Sequence, residues 1–140
     1  LFMQRVIDHQ SDPQHYKADA CIVWCFDGRF SKLLDQFIQK FQFSHIDLVK
    51  VAGGAKDLAS PEIESNRAYI LDQIAKSIKL HHTEQVVLMA HSECGAYGGS
   101  ADPDFYSTEL IKARAVVSSA FPNVSVVAHF ADFNGLQSVE

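Results

Sequence analysis

Short apolar runs alternate with longer amphipathic stretches along most of the chain. Three runs, at 20–26, 46–51 and 85–90, are rich in apolar and β-branched residues and predict buried strands. A fourth run at 124–131 has the same character. Between these runs, apolar residues recur at intervals of three and four, which predicts helices with one apolar face. The chain therefore alternates predicted strands and predicted helices.

Two of the helices have recognisable starts. Ser60-Pro61-Glu62 combines an N-cap serine, a proline and an acid, and predicts a helix that runs to about Leu80. Asp102-Pro103 predicts a second start by the same reasoning. The residues expected on the buried faces of the three helices are Phe30, Leu33, Leu34, Phe37, Ile38 and Phe41, then Ile63, Ile70, Leu71, Ile74 and Ile78, then Tyr106, Leu110, Ala113 and Val117.

This order of elements predicts an α/β fold. We expect a parallel, Rossmann-like sheet of about four strands with helices on both faces. Asn134-Gly135 is typical of a hairpin turn and indicates a short last strand that returns antiparallel to the fourth. Residues 1–19 show no clear period, so we expect a short helix or an N-terminal arm. No repeat or linker divides the chain, which predicts a single domain over 1–140.

Charge and composition exclude several classes of partner. The formal net charge of -5 argues against a nucleic-acid partner, which requires a basic face. No apolar run approaches the ~20 residues of a membrane-spanning helix, and no secretory signal is recognisable, so we expect no membrane partner. The three cysteines cannot all pair, which suits a reducing compartment and predicts a cytoplasmic protein.

Two predicted strands end in residues that can bind metal. Cys25 lies at the end of the first strand, and His91 and Cys94 follow the third. Sites in parallel sheets lie at the carboxyl ends of strands, so these side chains are expected to meet. Zinc prefers thiolate sulfur and imidazole nitrogen in a tetrahedron, and a catalytic site leaves one position for water. The sequence therefore predicts a Zn²⁺ site held by Cys25, His91 and Cys94.

Two charged residues follow the first of these ligands. Asp27 and Arg29 alternate with Cys25, so all three side chains point the same way if the strand continues. An ion pair with Arg29 would keep Asp27 ionised and able to accept a hydrogen bond from zinc-bound water. Two alternatives stay open: Asp27 binds the zinc itself and closes the fourth position, or the pair only caps the next helix.

Three motifs together resemble those of the β-class carbonic anhydrases, of the compact single-domain type. They are Cys25-Phe26-Asp27-Gly28-Arg29, Ala52-Gly53-Gly54 and His91-Ser92-Glu93-Cys94-Gly95-Ala96, in this order. The resemblance covers roughly residues 20–140. It implies reversible hydration of CO2 to bicarbonate by a zinc-bound hydroxide, with the three ligands above and Asp27 and Arg29 as the catalytic dyad. It also implies a homodimer or larger homo-oligomer, with the cleft near the subunit interface.

The chain departs from the family pattern at two places. Gly28 stands where Ser or Ala is usual, and Lys50-Val51 stands where the family has Arg-Asn. These departures keep open a non-catalytic zinc-binding protein. Two further alternatives are kept: hydrolysis of COS or CS2 at the same zinc site, which the motifs do not distinguish from CO2 hydration, and a nucleotide-binding domain. The last is disfavoured because Gly53-Gly54 lacks the spacing of a phosphate loop, and we expect it to be a turn packed near the site.

The remaining cysteine and histidines are expected to be structural or solvated. Cys21 is predicted to be a buried thiol, because free cysteine packs as a small hydrophobic residue. His129 is predicted to be a hydrogen-bonded sheet residue. The histidines expected at the solvated surface are His9, His15, His45, His81 and His82.

Overall fold

The computed structural model describes residues 2–140, and its centre is a five-stranded sheet. The strands are β1 (Ala20–Cys25), β2 (Ile46–Val51), β3 (Gln85–His91), β4 (Ser125–Asp132) and β5 (Gly135–Ser138). Their order across the sheet is β2-β1-β3-β4-β5. The first four are parallel, and β5 is antiparallel to β4. The predicted fold class, including the short antiparallel last strand, is confirmed.

The helices lie on both faces of this sheet. They are α1 (Ser31–Lys40), the short α2 (Lys56–Ala59), α3 (Glu64–His81) and α4 (Pro103–Ala120). Short 3₁₀ turns at Gly28–Phe30 and Gly95–Tyr97 follow β1 and β3. Among the described residues, no helix combines the length and the apolar character needed to cross a membrane.

Strands β1 and β3 are central and are buried on both faces. The alternation of their side chains divides the core in two: Cys21, Val23 and Cys25 point to the face covered by α2, α3 and α4, whereas Ile22 and Trp24 point to the face covered by α1. Because both faces are covered, these strands have continuous apolar sequences rather than alternating ones. Their burial explains why the sequence pattern locates them so well.

The β1 strand connects to β2 on one side, and the chain then crosses back to place β3 on the other side of β1. The connections therefore diverge between β1 and β3. In open parallel sheets this divergence leaves a crevice at the carboxyl ends of the two strands. Cys25 and His91 are the last residues of β1 and β3, so the topology brings both to this crevice.

One predicted helix start is wrong. Ser60-Pro61-Glu62 does not begin a helix: α2 ends at Ala59 with Ser60 as its C-cap, and α3 begins at Glu64. The Ser60 hydroxyl donates to the carboxylate of Glu109 on α4 instead of capping a helix N-terminus. Ile63, predicted to be buried, is consequently 59% exposed before the first turn of α3.

The other helix predictions hold with smaller differences. Asp102 caps α4 by accepting a hydrogen bond from the Asp104 amide, with Pro103 at the first helical position. The predicted buried face of α4 is confirmed, and that of α1 holds except for Phe41, which lies just beyond the helix and is exposed. Residues 2–18 contain neither helix nor strand, so the helical alternative for this segment is wrong.

Candidate metal centre

Three side chains with metal-binding atoms meet where β1 and β3 end. The Sγ atoms of Cys25 and Cys94 and one ring nitrogen of His91 lie within 4.8 Å of one another, and all three residues are buried. Cys94 reaches this position because the chain turns sharply at Glu93, whose φ of 56° lies in the left-handed region. That conformation is unusual for a residue with a side chain. The turn therefore directs Cys94 back toward His91 instead of away from it.

His91 is held in one orientation with one nitrogen left over. Its ring is fully buried and lies 4.5 Å from the ring of Phe30, between centroids. Nδ1 lies 2.8 Å from the carbonyl oxygen of Ser92, to which it can only donate, so the proton is placed on Nδ1. Nε2 is buried and has no hydrogen-bond partner within the described part of the chain. A buried ring nitrogen without a partner is costly unless something binds it.

The two thiols affect each other's pKa in opposite directions. The Cys94 thiol donates a hydrogen bond to Cys25, and this lowers the pKa of the Cys25 thiol well below its usual value. The same bond raises the pKa of the Cys94 thiol, which supplies the proton. Hydrogen bonds from the backbone amides of Asp27 and Gly53 also lower the pKa of Cys25, whereas burial raises it. The site thus already stabilises negative charge on sulfur, the form in which cysteine binds metal.

These observations meet the requirements of a zinc ion. Two sulfurs and one imidazole nitrogen converge, and the unpaired Nε2 atom supplies a lone pair in the right place. Zinc takes such N/S sets in a tetrahedron, and three ligands leave a fourth position for a small molecule. The donor chemistry therefore fits Zn²⁺, and it does not suit Mg²⁺ or Ca²⁺, which prefer oxygen.

The expected ion pair between Asp27 and Arg29 forms, but the two residues do not lie on an extension of β1. The strand stops at Cys25, so Asp27 and Arg29 do not extend it. Instead Asp27 caps the 3₁₀ turn that follows, since its Oδ1 accepts from the Arg29 amide at 2.9 Å. The Arg29 guanidinium also donates to both carboxylate oxygens, with Nη2 2.7 Å from Oδ2. The capping role and the ion pair are thus combined in one structure.

This pair fixes the charge of Asp27 and connects the two strand ends. The hydrogen bonds from Arg29 lower the pKa of the Asp27 carboxyl to about 2, so it is ionised at neutral pH. Arg29 also donates to the carbonyl oxygen of Glu93 at 3.2 Å, between His91 and Cys94 in the chain. The face of its guanidinium lies 5.2 Å from the ring centroid of Phe133, in the β4–β5 hairpin. Asp27 is not one of the three grouped metal-binding residues.

A cavity of about 380 Å³ opens from the grouped residues to the surface. Apart from Asp27 and the three metal-binding residues, its lining is apolar or glycine: Phe26, Ala52, Gly53, Gly95 and Ala96. Gly53 and Gly54 form the predicted turn beside the site, with φ values of +82° and +59°. A Cβ on Gly54 would lie 2.3 Å from the carbonyl oxygen of Met89, so only glycine fits between β1 and β3 here.

Residues outside the site are placed partly as predicted. Cys21 is fully buried, and burial raises the pKa of its thiol to about 11. His81 is not simply solvated, because its Nδ1 lies 2.7 Å from the carboxylate of Asp47, which also accepts from the hydroxyl of Tyr16. Sequence reasoning missed this cluster, since its members are 31 and 34 positions apart in the chain.

A protein-family model described as "Putative carbonic anhydrase" matches residues 15–139. The fold also matches solved structures. The carbonic anhydrase of Streptococcus mutans is 14% identical, with 95% of this chain and 88% of that chain covered and a TM-score of 0.67. Isoform I of the β-carbonic anhydrase of Trichomonas vaginalis is 11% identical, with 94% of this chain and 87% of that chain covered and a TM-score of 0.65. An apo carbon disulfide hydrolase is 10% identical, with 89% and 81% covered and a TM-score of 0.60. At these identities the similarity shows a shared fold.

Proposed function

The chain belongs to the carbonic anhydrase family and has the β-class fold, and on that premise we propose that it is a zinc enzyme that reversibly hydrates CO2 to bicarbonate. The observation that carries the proposal is the convergence of Cys25, His91 and Cys94 around a buried, unpaired imidazole nitrogen. These three residues would hold the ion. When bound, zinc would lower the pKa of a coordinated water so that it can act as a nucleophile near neutral pH.

Asp27 and Arg29 would orient that nucleophile. The Oδ2 atom of Asp27 faces the site, 3.7 Å from Nε2 of His91, and carries negative charge at neutral pH. A carboxylate in this position can accept a hydrogen bond from the water and hold its lone pair toward the substrate. Arg29 would keep Asp27 ionised and prevent it from rotating, because its side chain donates to both carboxylate oxygens and its backbone amide donates to Oδ1.

The cavity would bind the substrate. CO2 is small and has no hydrogen to donate, so an apolar wall such as that of Phe26, Ala52 and Ala96 suits it. Bicarbonate is charged and would leave the apolar lining more readily. Gly28, where the family usually has Ser or Ala, removes no packing contact here, because nothing lies within 4 Å of the position a Cβ would take.

A second copy of the chain is proposed to cover part of this surface. Phe26, at the mouth of the cavity, is 64% exposed, and apolar side chains of the N-terminal arm (Phe2, Met3, Val6 and Ile7) contact solvent. We propose a homodimer or larger homo-oligomer of single-domain chains over 1–140, with 1–19 as the arm. Sedimentation equilibrium would test this, and a monomer at micromolar concentration would contradict it. A cytoplasmic location is proposed because both thiol ligands must stay reduced.

The decisive experiment is stopped-flow CO2 hydration between pH 6.5 and 9, on protein whose zinc content is known from elemental analysis. At one zinc per chain, activity should rise with pH, since the nucleophile forms by loss of a proton. No activity with zinc fully bound would reject the enzyme and favour a non-catalytic zinc protein. Well-folded protein prepared with zinc that retains none would reject the metal site itself.

A second candidate activity is the hydrolysis of CS2 or COS at the same centre. It is favoured by the similarity of the fold to a carbon disulfide hydrolase and by the apolar lining of the cavity. Both substrates resemble CO2 in shape and lack polar hydrogens. Assays of hydrogen sulfide release, run beside CO2 hydration on the same zinc-loaded sample, would separate the two: the larger kcat/KM identifies the preferred substrate.

A further inference from the structure

The loop between His91 and α4 carries Cys94 and is tied to the core by a buried tyrosine. Tyr106, on the first turn of α4, is fully buried. Its hydroxyl donates to the carbonyl oxygen of Ser100 at 2.7 Å and accepts the backbone N–H of Cys94 at 3.3 Å. One phenol oxygen thus connects the two sides of the loop. On one side this oxygen contacts the backbone amide of Cys94, whose thiol belongs to the metal-binding group.

Hydrogen bonds within the loop make it a closed unit. The Glu93 amide donates to the Ser100 carbonyl at 2.8 Å, and the Gly99 amide donates to the Cys94 carbonyl at 2.9 Å. The strained, left-handed conformation of Glu93 lies inside this unit. Such a conformation persists only when the surrounding contacts hold it. The attachment of the loop to the core therefore affects where the Cys94 thiol points.

The ring of Tyr106 is itself rigidly placed. It stacks on Phe130 of β4, with centroids 5.1 Å apart, and meets the ring of Tyr97 edge-on at 5.2 Å. Removal of the hydroxyl alone would leave the ring in this packing. It would also leave the amide of the buried residue Cys94 without its partner, which is costly and favours a shift of the loop.

We propose that Tyr106 is a positioning residue for the metal centre: its hydroxyl holds Cys94 in the geometry that completes the Cys25–His91–Cys94 group. The inference rests on the proposed zinc site and extends it to a residue that contacts neither metal nor substrate. Groups that orient metal ligands typically change metal affinity by about 10- to 100-fold when they are removed. We therefore expect Tyr106→Phe to weaken zinc binding within that range.

Tyr16→Phe is a matched control. It removes a tyrosine hydroxyl that donates to the carboxylate of Asp47. Asp47 lies beside Cys21 in the β1–β2 register, at the opposite end of these strands from the site. Zinc affinity is measured by competition with a chromophoric chelator for wild type and both variants, with folding checked by circular dichroism and urea unfolding. Tyr16→Phe should bind zinc within about two-fold of wild type, well below the loss of about 10- to 100-fold expected for Tyr106→Phe.

The absorption spectrum of the cobalt(II)-substituted protein separates a change in site geometry from a loss of stability, because reduced stability alone would not change it. The sulfur-to-cobalt charge-transfer band depends on the position of the thiolates, so we expect it to shift or broaden in Tyr106→Phe and to stay unchanged in Tyr16→Phe. Wild-type affinity in Tyr106→Phe, or equal losses in both variants, would overturn the inference. Weaker binding with an unchanged band would also overturn it. A wild-type protein that binds no zinc would instead reject the proposed function on which the inference rests.

Discussion

The Oδ2 atom of Asp27 lies 3.7 Å from the Nε2 atom of His91, although Asp27 follows β1 and His91 is the last residue of β3. The carboxylate is close enough to interact with a molecule bound beside His91, yet Arg29 holds it by three hydrogen bonds from its side chain. To become a fourth metal ligand, Asp27 would have to weaken these bonds. In the proposed zinc site, these bonds would therefore favour an open fourth position over one closed by Asp27.

Cys94→Ser should abolish tight zinc binding. A serine hydroxyl is a poor zinc ligand, and the loss of one of three protein ligands should reduce the affinity by more than about 100-fold and lower the stability of the loaded protein. Cys21→Ser is the matched control, because Cys21 lies in β1 four residues before Cys25 but outside the grouped residues. Elemental analysis after gel filtration measures both, and full zinc retention by Cys94→Ser would remove it from the ligand set.

Asp27→Asn should keep zinc and lose most of its activity. The amide oxygen can still accept the Arg29 amide and so preserve the 3₁₀ turn, but it cannot carry the charge that orients the nucleophile. A loss of about 100-fold or more in kcat/KM is expected, the usual range for a proton-accepting group. Stopped-flow CO2 hydration at one zinc per chain provides the test. Unchanged turnover would exclude Asp27 from the mechanism.

Gly54→Ala should destabilise the protein by about 3 kcal/mol, because it combines a left-handed φ with a backbone collision. Gly28→Ala is the control: its Cβ would meet no atom within 4 Å and its backbone is not left-handed, so the change should lie within about 1 kcal/mol of zero. Urea unfolding of the metal-free proteins measures both. Equal stability of the two variants would contradict the close approach of Gly54 to Met89.

Asp47→Asn should change how stability depends on acid. Burial raises the pKa of the Asp47 carboxyl, but hydrogen bonds from Tyr16, Ser77 and His81 outweigh it, so the pKa is lowered on folding. A lowered pKa contributes stability above the unfolded value of about 3.9, and the contribution disappears as the pH falls through the folded value. We expect Asp47→Asn to cost about 2 kcal/mol at pH 7, and less once the pH falls below about 4.

The control for this prediction is Asp72→Asn. Asp72 is exposed and forms only an i,i+4 pair with Lys76, so its replacement should cost less than about 0.5 kcal/mol. Urea midpoints for wild type and the two variants between pH 7 and pH 3 give the comparison. A cost of Asp47→Asn that stays constant with pH would show that the carboxylate charge does not stabilise the cluster.

Local sequence was sufficient where burial is strong. The apolar runs of β1 and β3 located the central strands, since only covered strands need apolar residues at every position. The Asp102-Pro103 start was found because the cap forms between neighbouring residues. Ser60-Pro61 failed for the converse reason: the Ser60 hydroxyl has a partner on α4, 49 positions away, which competes with the local cap.

The sequence by itself determined the α/β class, the order of the elements and the identity of the residues that could bind metal. These depend on periodicity and side-chain chemistry, which are local properties. Only the tertiary structure decided that Nε2 of His91 is left without a partner, that Arg29 reaches across to Glu93, and that Tyr106 lies behind Cys94. Those contacts join residues from different strand ends and α4. They arise from how the sheet and helices pack, and no spacing along the chain encodes them.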